Sequence, residues 1–188
     1  MKSGESKYTS SWSPDGRYLM YTTSGAKTGL DLSVLPLEGE KKPFPFLQTE
    51  FQETGGQFSP GPASRSRWVA YNSNETGREE VYVQGFPKPG GKWQVSTGGG
   101  LFPLWRADGR ELFYLSADRK LMAVDVKTDG PVFERGQPRE LFPTTVIPAF
   151  SVHQPYDVTA DGKRFLILST LEDAEASPIT VVLNWKGR

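Results

Sequence analysis

A single short motif recurs along the chain and limits its fold more than any other feature. The motif is an aromatic or apolar residue, two further residues, Asp-Gly and a basic residue, and a short apolar run follows it. Its three complete copies read WSPDGR at 12–17, WRADGR at 105–110 and VTADGK at 158–163. A degenerate copy begins at Phe58 and continues in the apolar run at 67–71. Because Asp-Gly supplies the positive φ angles of a tight turn, each copy predicts a β-hairpin.

The spacing of the copies predicts repeated units of one supersecondary structure. If Tyr21, Tyr71, Tyr114 and Ile167 are equivalent, successive units lie 50, 43 and 53 residues apart, close to the period of propeller blades. A third strand of each unit is predicted at 31–37, 80–84, 121–126 and 179–185. A fourth strand is predicted at 43–47, 93–96 and 139–142. Only three residues follow Trp185, so the last unit is predicted to lack its outer strand.

These units predict an all-β chain, a β-propeller fragment of about four four-stranded antiparallel blades. The predicted blades span 7–50, 51–97, 98–145 and 150–188 of a single propeller-like domain. The 20 glycines, the 15 prolines and an aromatic content of 12 % fit this prediction, because such a composition favours short strands and many turns over helices.

The Trp-Ser-Pro-Asp-Gly-Arg motif, followed by an apolar strand, resembles the WD40-like repeat (PD40) of TolB-like β-propellers. The end of the chain, 178–185, is similar to the ends of propellers attached to bacterial serine/threonine protein kinases. The chain contains no glycine-rich kinase loop, no His-Arg-Asp and no Asp-Phe-Gly, so kinase activity is not expected. The resemblance implies a C-terminal fragment of a larger TolB-like or kinase-linked bacterial protein, and an extracytoplasmic location for that parent protein.

Composition excludes several classes of partner. Lys and Arg number 22 and Asp and Glu number 22, so no net positive field attracts nucleic acid or an anionic membrane surface. Residues 1–7 are polar and lack the apolar core of a signal peptide, and no apolar run approaches the ~20 residues of a membrane span. We therefore expect neither nucleic-acid binding nor membrane insertion. The absence of cysteine leaves the compartment of this chain open.

Motifs of known catalytic sites are absent from the sequence. His153 is the only histidine, and no Gly-x-Ser-x-Gly sequence presents a nucleophilic serine. No His-Glu-x-x-His sequence or histidine cluster provides a usual zinc site. A metal would therefore have to be held mainly by oxygen ligands.

The best candidate site is the rim of the central channel, where the inner strands of a propeller begin. We call the first residue of the four motif copies the conserved aromatic position; it is Trp12, Phe58, Trp105 and Val158. The positions five residues before it are Lys7, Glu53, Gly100 and His153. The positions one residue before it are Ser11, Gln57, Leu104 and Asp157. The predicted ligand-binding set is Lys7, Glu53, His153 and Asp157, of which the last three are candidates for binding a divalent metal. A polar, water-filled rim explains the same residues without a ligand.

Two functions follow as alternatives. The favoured one is a non-catalytic interaction or sensor module that binds a protein or a ligand, because a propeller supports many functions and no catalytic motif is present. The alternative is a promiscuous metal-dependent hydrolase of phosphoesters, phosphotriesters or lactones, with a divalent metal as its cofactor and a metal-bound water at the channel rim.

The expected partner is a second copy of the chain or another protein. An open arc of blades leaves apolar faces and strand edges exposed, and a homodimer would complete the ring. In one version of this hypothesis, residues 2–8 pair with the edge of the partner's last blade. A closed four-bladed monomer and a fragment of a longer propeller are the alternatives.

Overall fold

The computed structural model describes residues 6–25, 28–61, 65–146 and 153–168. All regular secondary structure in these ranges is β, which confirms the predicted all-β fold. The strands are β1 (Lys7–Trp12), β2 (Tyr18–Gly25), β3 (Gly29–Pro36), β4 (Phe44–Leu47), β5 (Glu53–Phe58), β6 (Trp68–Ser73), β7 (Glu80–Gly85), β8 (Lys92–Gln94), β9 (Gly100–Trp105), β10 (Glu111–Ser116), β11 (Lys120–Lys127), β12 (Glu134–Arg135), β13 (Arg139–Pro143), β14 (Tyr156–Val158) and β15 (Phe165–Ile167). The part of the chain that the structure describes holds no helix with the length and apolar character that a bilayer crossing needs.

The strands form four antiparallel sheets that follow one another along the chain. The first sheet has the order β1-β2-β3-β4 and the second the order β5-β6-β7-β8. In the third sheet β9, β10 and β11 are neighbours, and both β12 and β13 pair with β11. The fourth sheet contains β14 and β15. The strand predicted at 179–185, and with it the missing outer strand, lies outside the described residues.

All four copies of the motif form hairpins in one register. The conserved aromatic position of each inner strand pairs with one of the first two residues of the next strand, in the pairs Trp12↔Leu19, Phe58↔Val69, Trp105↔Leu112 and Val158↔Phe165. The turn glycines Gly16, Gly109 and Gly162 have φ angles of 72°, 70° and 72°, as tight Asp-Gly turns require.

The degenerate second copy closes its hairpin without Asp-Gly. The Trp68 amide donates to Ser59 Oγ at 3.2 Å, and the Ser59 amide donates to the Trp68 carbonyl at 2.9 Å. The first copy makes the same two bonds between Ser13 and Tyr18. A hydroxyl at this position therefore fixes the start of the second strand even where the connection is longer.

Three apolar cores lie between successive sheets. The first joins Met20 and Leu32 of the first blade to Tyr71 of the second, and the second joins Val83 of the second blade to Trp105 of the third. A third core lies between the third and fourth blades. The middle sheets are covered on both faces, and all six residues of β6 are buried. Residues of β6 therefore lack the polar and apolar alternation of a half-exposed strand.

Each of the first three inner strands is interrupted by a bulge or an irregularity in its pairing. In β1 it lies between Thr9 and Ser11, and in β5 between Thr54 and Gln57. The pairing of β9 with β10 is irregular in the same region. A bulge twists and bends a strand locally, and here the affected segments are those that meet at the centre of the arc.

Candidate functional site

A small cavity lies where the inner strands of all four blades converge. It has a volume of about 110 Å³, which is room for about three or four water molecules. Its lining combines hydroxyl groups, amide groups and one imidazole: Thr9, Ser10, Thr54, Gly55, Gln57, Asn72, Phe102, His153 and Gln154. We call these residues the channel pocket. No carboxylate, lysine or arginine contributes to the described wall.

Side-chain amides of the channel pocket connect neighbouring blades. Gln57 Nε2 donates to the Ser10 carbonyl at 2.9 Å, which joins the second blade to the first. Asn72 Oδ1 accepts the Phe102 amide at 3.1 Å, which joins the second blade to the third. Gln154 Nε2 donates to the Phe102 carbonyl at 3.1 Å, which joins the fourth blade to the third. The pocket wall is therefore held in place by hydrogen bonds across every described junction.

Phe102 is the centre of this arrangement. Its carbonyl also accepts the Tyr156 hydroxyl at 2.7 Å, and its φ angle is 58°, a region that non-glycine residues seldom occupy. The Phe102 side chain is buried in the third core beside Phe113. The corresponding position of β5, three residues before the conserved aromatic, is Gly55 with φ 64°. Burial and three hydrogen bonds hold Phe102 in a conformation that glycine adopts without strain.

The structure brings one of the four predicted site residues into the channel pocket. His153 lines it, whereas Lys7, Glu53 and Asp157 do not. Lys7 lies in β1 and pairs with Thr23 of its own blade. Asp157 is exposed on β14, where its Oδ1 accepts the Val158 amide at 2.8 Å. Tyr8, like Lys7, pairs within its own blade, and 2–5 of the predicted exchanged segment lie outside the described residues.

Glu53 is buried beside the junction between the first and second blades, and its exposure is 2 %. Its Oε1 accepts the Thr49 hydroxyl, while within the described ranges its Oε2 and Asp31 Oδ1 have no hydrogen-bond partner. Burial raises the pKa of the Glu53 carboxyl, and the charges of Asp31 and Glu75 act in the same direction. Glu53 is thus a partly unsatisfied buried acid and not part of the pocket wall.

Glu80, at the junction between the second and third blades, is the equivalent of Asp31 in the first blade, and its carboxylate has hydrogen-bond partners. Asp31 and Glu80 occupy the same register position, opposite Thr23 and Ser73. The Glu80 carboxylate accepts the Ser96 hydroxyl, the Gly99 amide at 3.0 Å and Arg78 Nε at 2.9 Å. The second junction thus supplies a cation and a backbone donor for its buried acid.

A larger cleft of about 690 Å³ lies beside the Asp-Gly turn of the third blade. Its charged groups compensate one another, since Arg106 binds both carboxylate oxygens of Asp108 at 2.7 and 2.8 Å. Arg106 also pairs with Glu111. Part of its wall is Gly61, which adjoins 62–64, outside the described residues. The described wall of the cleft has no net charge that would select an anion or a cation, because it contains three cationic side chains and three carboxylates: Arg106, Arg110, Lys127, Asp108, Asp125 and Asp129.

The described residues contain no group of three or more His, Asp or Glu side chains that could hold a metal ion. Glu53, His153 and Asp157 are therefore not brought together as a ligand set in this structure. Most of the pocket residues outside the predicted set are hydroxyl and amide side chains one to four positions before the conserved aromatic position: Thr9, Ser10, Thr54, Gln57 and Gln154. Gln57 stands in the sequence alignment one residue before that position, but the predicted set omits its polar neighbours in the register. Asn72 lies in β6 and carried no such signal.

Comparisons with known proteins place the fold. In sequence, the chain matches no family model and is not significantly similar to any curated protein. In structure, it is similar to a protein described as a TolB of Agrobacterium tumefaciens, with a TM-score of 0.55 and 20 % identity over 73 % of this chain and 50 % of that one. TolB of Acinetobacter baumannii gives a TM-score of 0.55 and 15 % identity over 77 % of this chain and 34 % of that one.

A protein described as a 6-phosphogluconolactonase of Bacteroides uniformis gives a TM-score of 0.56 and 15 % identity, over 87 % of this chain and 48 % of that one. The chain thus spans half or less of the length of each of these three structures. Similarities at this level of identity establish the fold and not an activity. Together with the four repeated sheets, they show that the chain has the repeated-blade β-propeller fold that is also found in TolB.

Proposed function

We propose that the chain is a non-catalytic binding module that accepts one polar side chain of a partner protein in the channel pocket. The observation that carries the proposal is the lining of that pocket, where hydroxyl and amide side chains from the first, second and fourth blades converge, with Phe102 of the third, on one small cavity. Such groups both donate and accept hydrogen bonds. They suit a neutral polar group such as a side-chain amide or hydroxyl.

The size of the pocket favours a single side chain over a whole small-molecule ligand. Pockets that enclose drug-sized ligands have volumes of roughly 300–1,000 Å³, and the channel pocket has about 110 Å³. A nucleotide or sugar phosphate would exceed this space and would also lack a cationic partner in the described wall. A single neutral side chain that projects from a protein surface fits this volume and needs no cationic partner in the wall.

The rigidity of the wall supports binding as well. Gln57, Asn72 and Gln154 are already oriented by bonds to neighbouring blades. A preorganised site loses little conformational entropy when it is occupied.

The extracytoplasmic parent protein and the link to a kinase remain predictions that follow from the sequence resemblance.

A metal-assisted lactone or phosphoester hydrolase is the second candidate, favoured by the similarity in fold to the protein described as a 6-phosphogluconolactonase. Its carboxylate ligands would have to be Glu53 and Asp157, which lie outside the channel pocket. Hydrolysis of a lactone or of a nitrophenyl phosphoester that depends on added Mg²⁺ or Ca²⁺ and stops on chelation would support this candidate over the binding module.

The binding proposal can be tested with blocked tripeptides that display one central side chain. We expect Gly-Asn-Gly and Gly-Gln-Gly to shift the side-chain amide NMR signals of Gln57, Asn72 and Gln154 at millimolar concentration, with no shift from Gly-Leu-Gly. Thr9→Trp, which fills the pocket, should abolish the shifts, and Thr97→Trp, at an exposed position outside the pocket, should retain them. Equal shifts from all three peptides, or shifts that survive Thr9→Trp, would contradict the proposal.

A further inference from the structure

The conserved aromatic position of each repeat is covered by the preceding blade, except in the first repeat. Phe58 is buried in the first core, Trp105 in the second, and Val158 packs against the third. Trp12 occupies the same register but is 61 % exposed, whereas Trp105 is 6 % exposed. No other described blade covers Trp12. Within the described residues, the interblade face of the first blade that carries Trp12 is therefore exposed.

The junction between the second and third blades shows what such a face binds. Trp105 Nε1 donates to the Gln57 carbonyl at 3.1 Å, so the indole contacts the main chain of the preceding inner strand. The indole also packs among apolar residues of the second blade such as Trp68 and Val83. A surface that covers Trp12 in the same way must offer an inner-strand carbonyl beside apolar side chains.

The fourth blade presents such a surface at the opposite end of the arc. In β15, Phe165 and Ile167 pack against the third core, while Leu166 is 77 % exposed and Leu168, just after it, is 76 % exposed. The register equivalents of Leu166 are Met20, Ala70 and Phe113, which are 0 %, 0 % and 1 % exposed because the following blade covers them. Leu166 and Leu168 thus belong to a face that a following blade covers elsewhere in this chain.

We infer that the two end faces bind each other between two copies of this chain. The first blade of each copy packs on the fourth blade of its partner, so that two identical junctions close the assembly by two-fold symmetry. A second copy is the occupant because each copy carries both halves of the junction, and three junctions of this kind already exist within the chain. Trp105 donates to the carbonyl of Gln57, one residue before the conserved aromatic position of the preceding blade. The equivalent residue of the fourth blade is Asp157, so in the proposed junction Trp12 Nε1 donates to the backbone carbonyl of Asp157 of the partner subunit.

The proposed interface and the channel pocket involve the same two end blades but different residues. Thr9 and Ser10 lie on β1, and His153 and Gln154 precede β14, so the two end blades both contribute to the pocket wall. The interface is independent of the proposed ligand, since Trp12, Leu166 and Leu168 do not line the pocket.

Sedimentation velocity of the full chain, at protein concentrations from about 1 to 100 μM, tests the inference. We expect a monomer–dimer equilibrium. Trp12→Ser should raise the dissociation constant at least about 30-fold, as loss of a central interface tryptophan does, and Leu166→Lys with Leu168→Lys should do the same. Trp12→Phe, which keeps the packing and removes the N–H donor, should have an intermediate effect. Val132→Ser removes an apolar side chain that is 55 % exposed on the third blade and should leave the dimer intact.

Mixing the two interface variants separates loss of the interface from loss of the fold. The Trp12→Ser chain keeps an intact fourth-blade face, and the double lysine variant keeps an intact first-blade face, so the mixture can form one wild-type junction. We expect each variant to be monomeric alone and the mixture to form a weak heterodimer. A monomeric wild-type chain, a mass that grows without limit with concentration, a dimer unaffected by Trp12→Ser, or a mixture of folded variants that stays monomeric would each overturn the inference.

Discussion

The first and third copies of the repeat have the same local structure and different surroundings. Asp15 Oδ1 accepts the Arg17 amide at 3.1 Å, and Asp108 Oδ1 accepts the Arg110 amide at 3.0 Å. The tryptophans that precede these turns nevertheless differ tenfold in exposure, 61 % for Trp12 and 6 % for Trp105. The motif therefore determines the hairpin, while the neighbouring blade determines what the hairpin contributes to stability.

Replacing the two tryptophans should give the largest difference between the copies. Trp105→Ala removes a buried indole and leaves the Gln57 carbonyl without its donor, so we expect a loss of about 3–5 kcal/mol in the free energy of unfolding at any protein concentration. Trp12→Ala should cost less than about 1 kcal/mol in dilute solution, as surface substitutions do. Chemical denaturation at several protein concentrations measures both, and similar losses in dilute solution would contradict the comparison.

Valine at the two turn glycines should give a smaller difference. Both substitutions impose a positive φ on a β-branched residue, at a cost of roughly 1–3 kcal/mol. At Gly109 a Cβ would also lie 2.9 Å from Thr128 Oγ1 and 3.4 Å from the Pro60 carbonyl oxygen, whereas at Gly16 the nearest atom, Trp12 Nε1, is 4.0 Å away. Gly109→Val should therefore lower the melting temperature more than Gly16→Val does. An unchanged melting temperature in either variant would show that its turn is not tight.

The buried acid Glu53 should make the free energy of unfolding depend on pH. The pKa of Glu53 is raised above 4.5 in the folded chain, so the folded state binds this proton more tightly than the unfolded chain does. The resulting stabilisation is complete below about pH 4.5 and is lost as the pH rises through the folded pKa. Glu53→Gln should therefore be more stable than the wild type at pH 7, by about 1 kcal/mol, with a smaller difference at pH 4.

Urea denaturation at the two pH values checks this expectation. Glu134→Gln changes an exposed acid paired with Lys127 and serves as the matched control, for which we expect a stability change within about 0.5 kcal/mol at either pH. A Glu53→Gln variant that is less stable than the wild type at pH 7 would mean that the carboxylate is satisfied in solution.

The repeat and the hairpins could be predicted from sequence because both rest on local chemistry. Asp-Gly turns and short apolar runs determine the strands around 18–21 and 111–114 without reference to the rest of the chain. The channel pocket could not be predicted in the same way. Burial and hydrogen bonds with Asn72, Gln154 and Tyr156 hold Phe102 at a positive φ, and those hydrogen bonds join residues that are distant in sequence.

Glu53 illustrates the same limit. Its position five residues before Phe58 predicted a residue at the channel rim; in the structure Glu53 is the first residue of β5 but is buried and does not line the channel pocket. Its burial depends on contacts outside that strand, with Thr49 and near Asp31. A repeat alignment gives the register of a side chain, whereas its exposure depends on the neighbouring blade.

The central claim, that all copies share one register, is tested most directly in the fourth copy by engineered disulfides. The chain contains no cysteine, and Asp157 pairs with Leu166 across β14 and β15, at the Cα separation of roughly 4.5–5.5 Å that a disulfide can span. In dilute solution, Asp157→Cys with Leu166→Cys should oxidise to one intramolecular disulfide, detected by mass spectrometry after trypsin digestion. Asp157→Cys with Phe165→Cys should keep free thiols, since a one-residue shift places the side chains on opposite faces. A disulfide in the second variant and free thiols in the first would contradict the shared register.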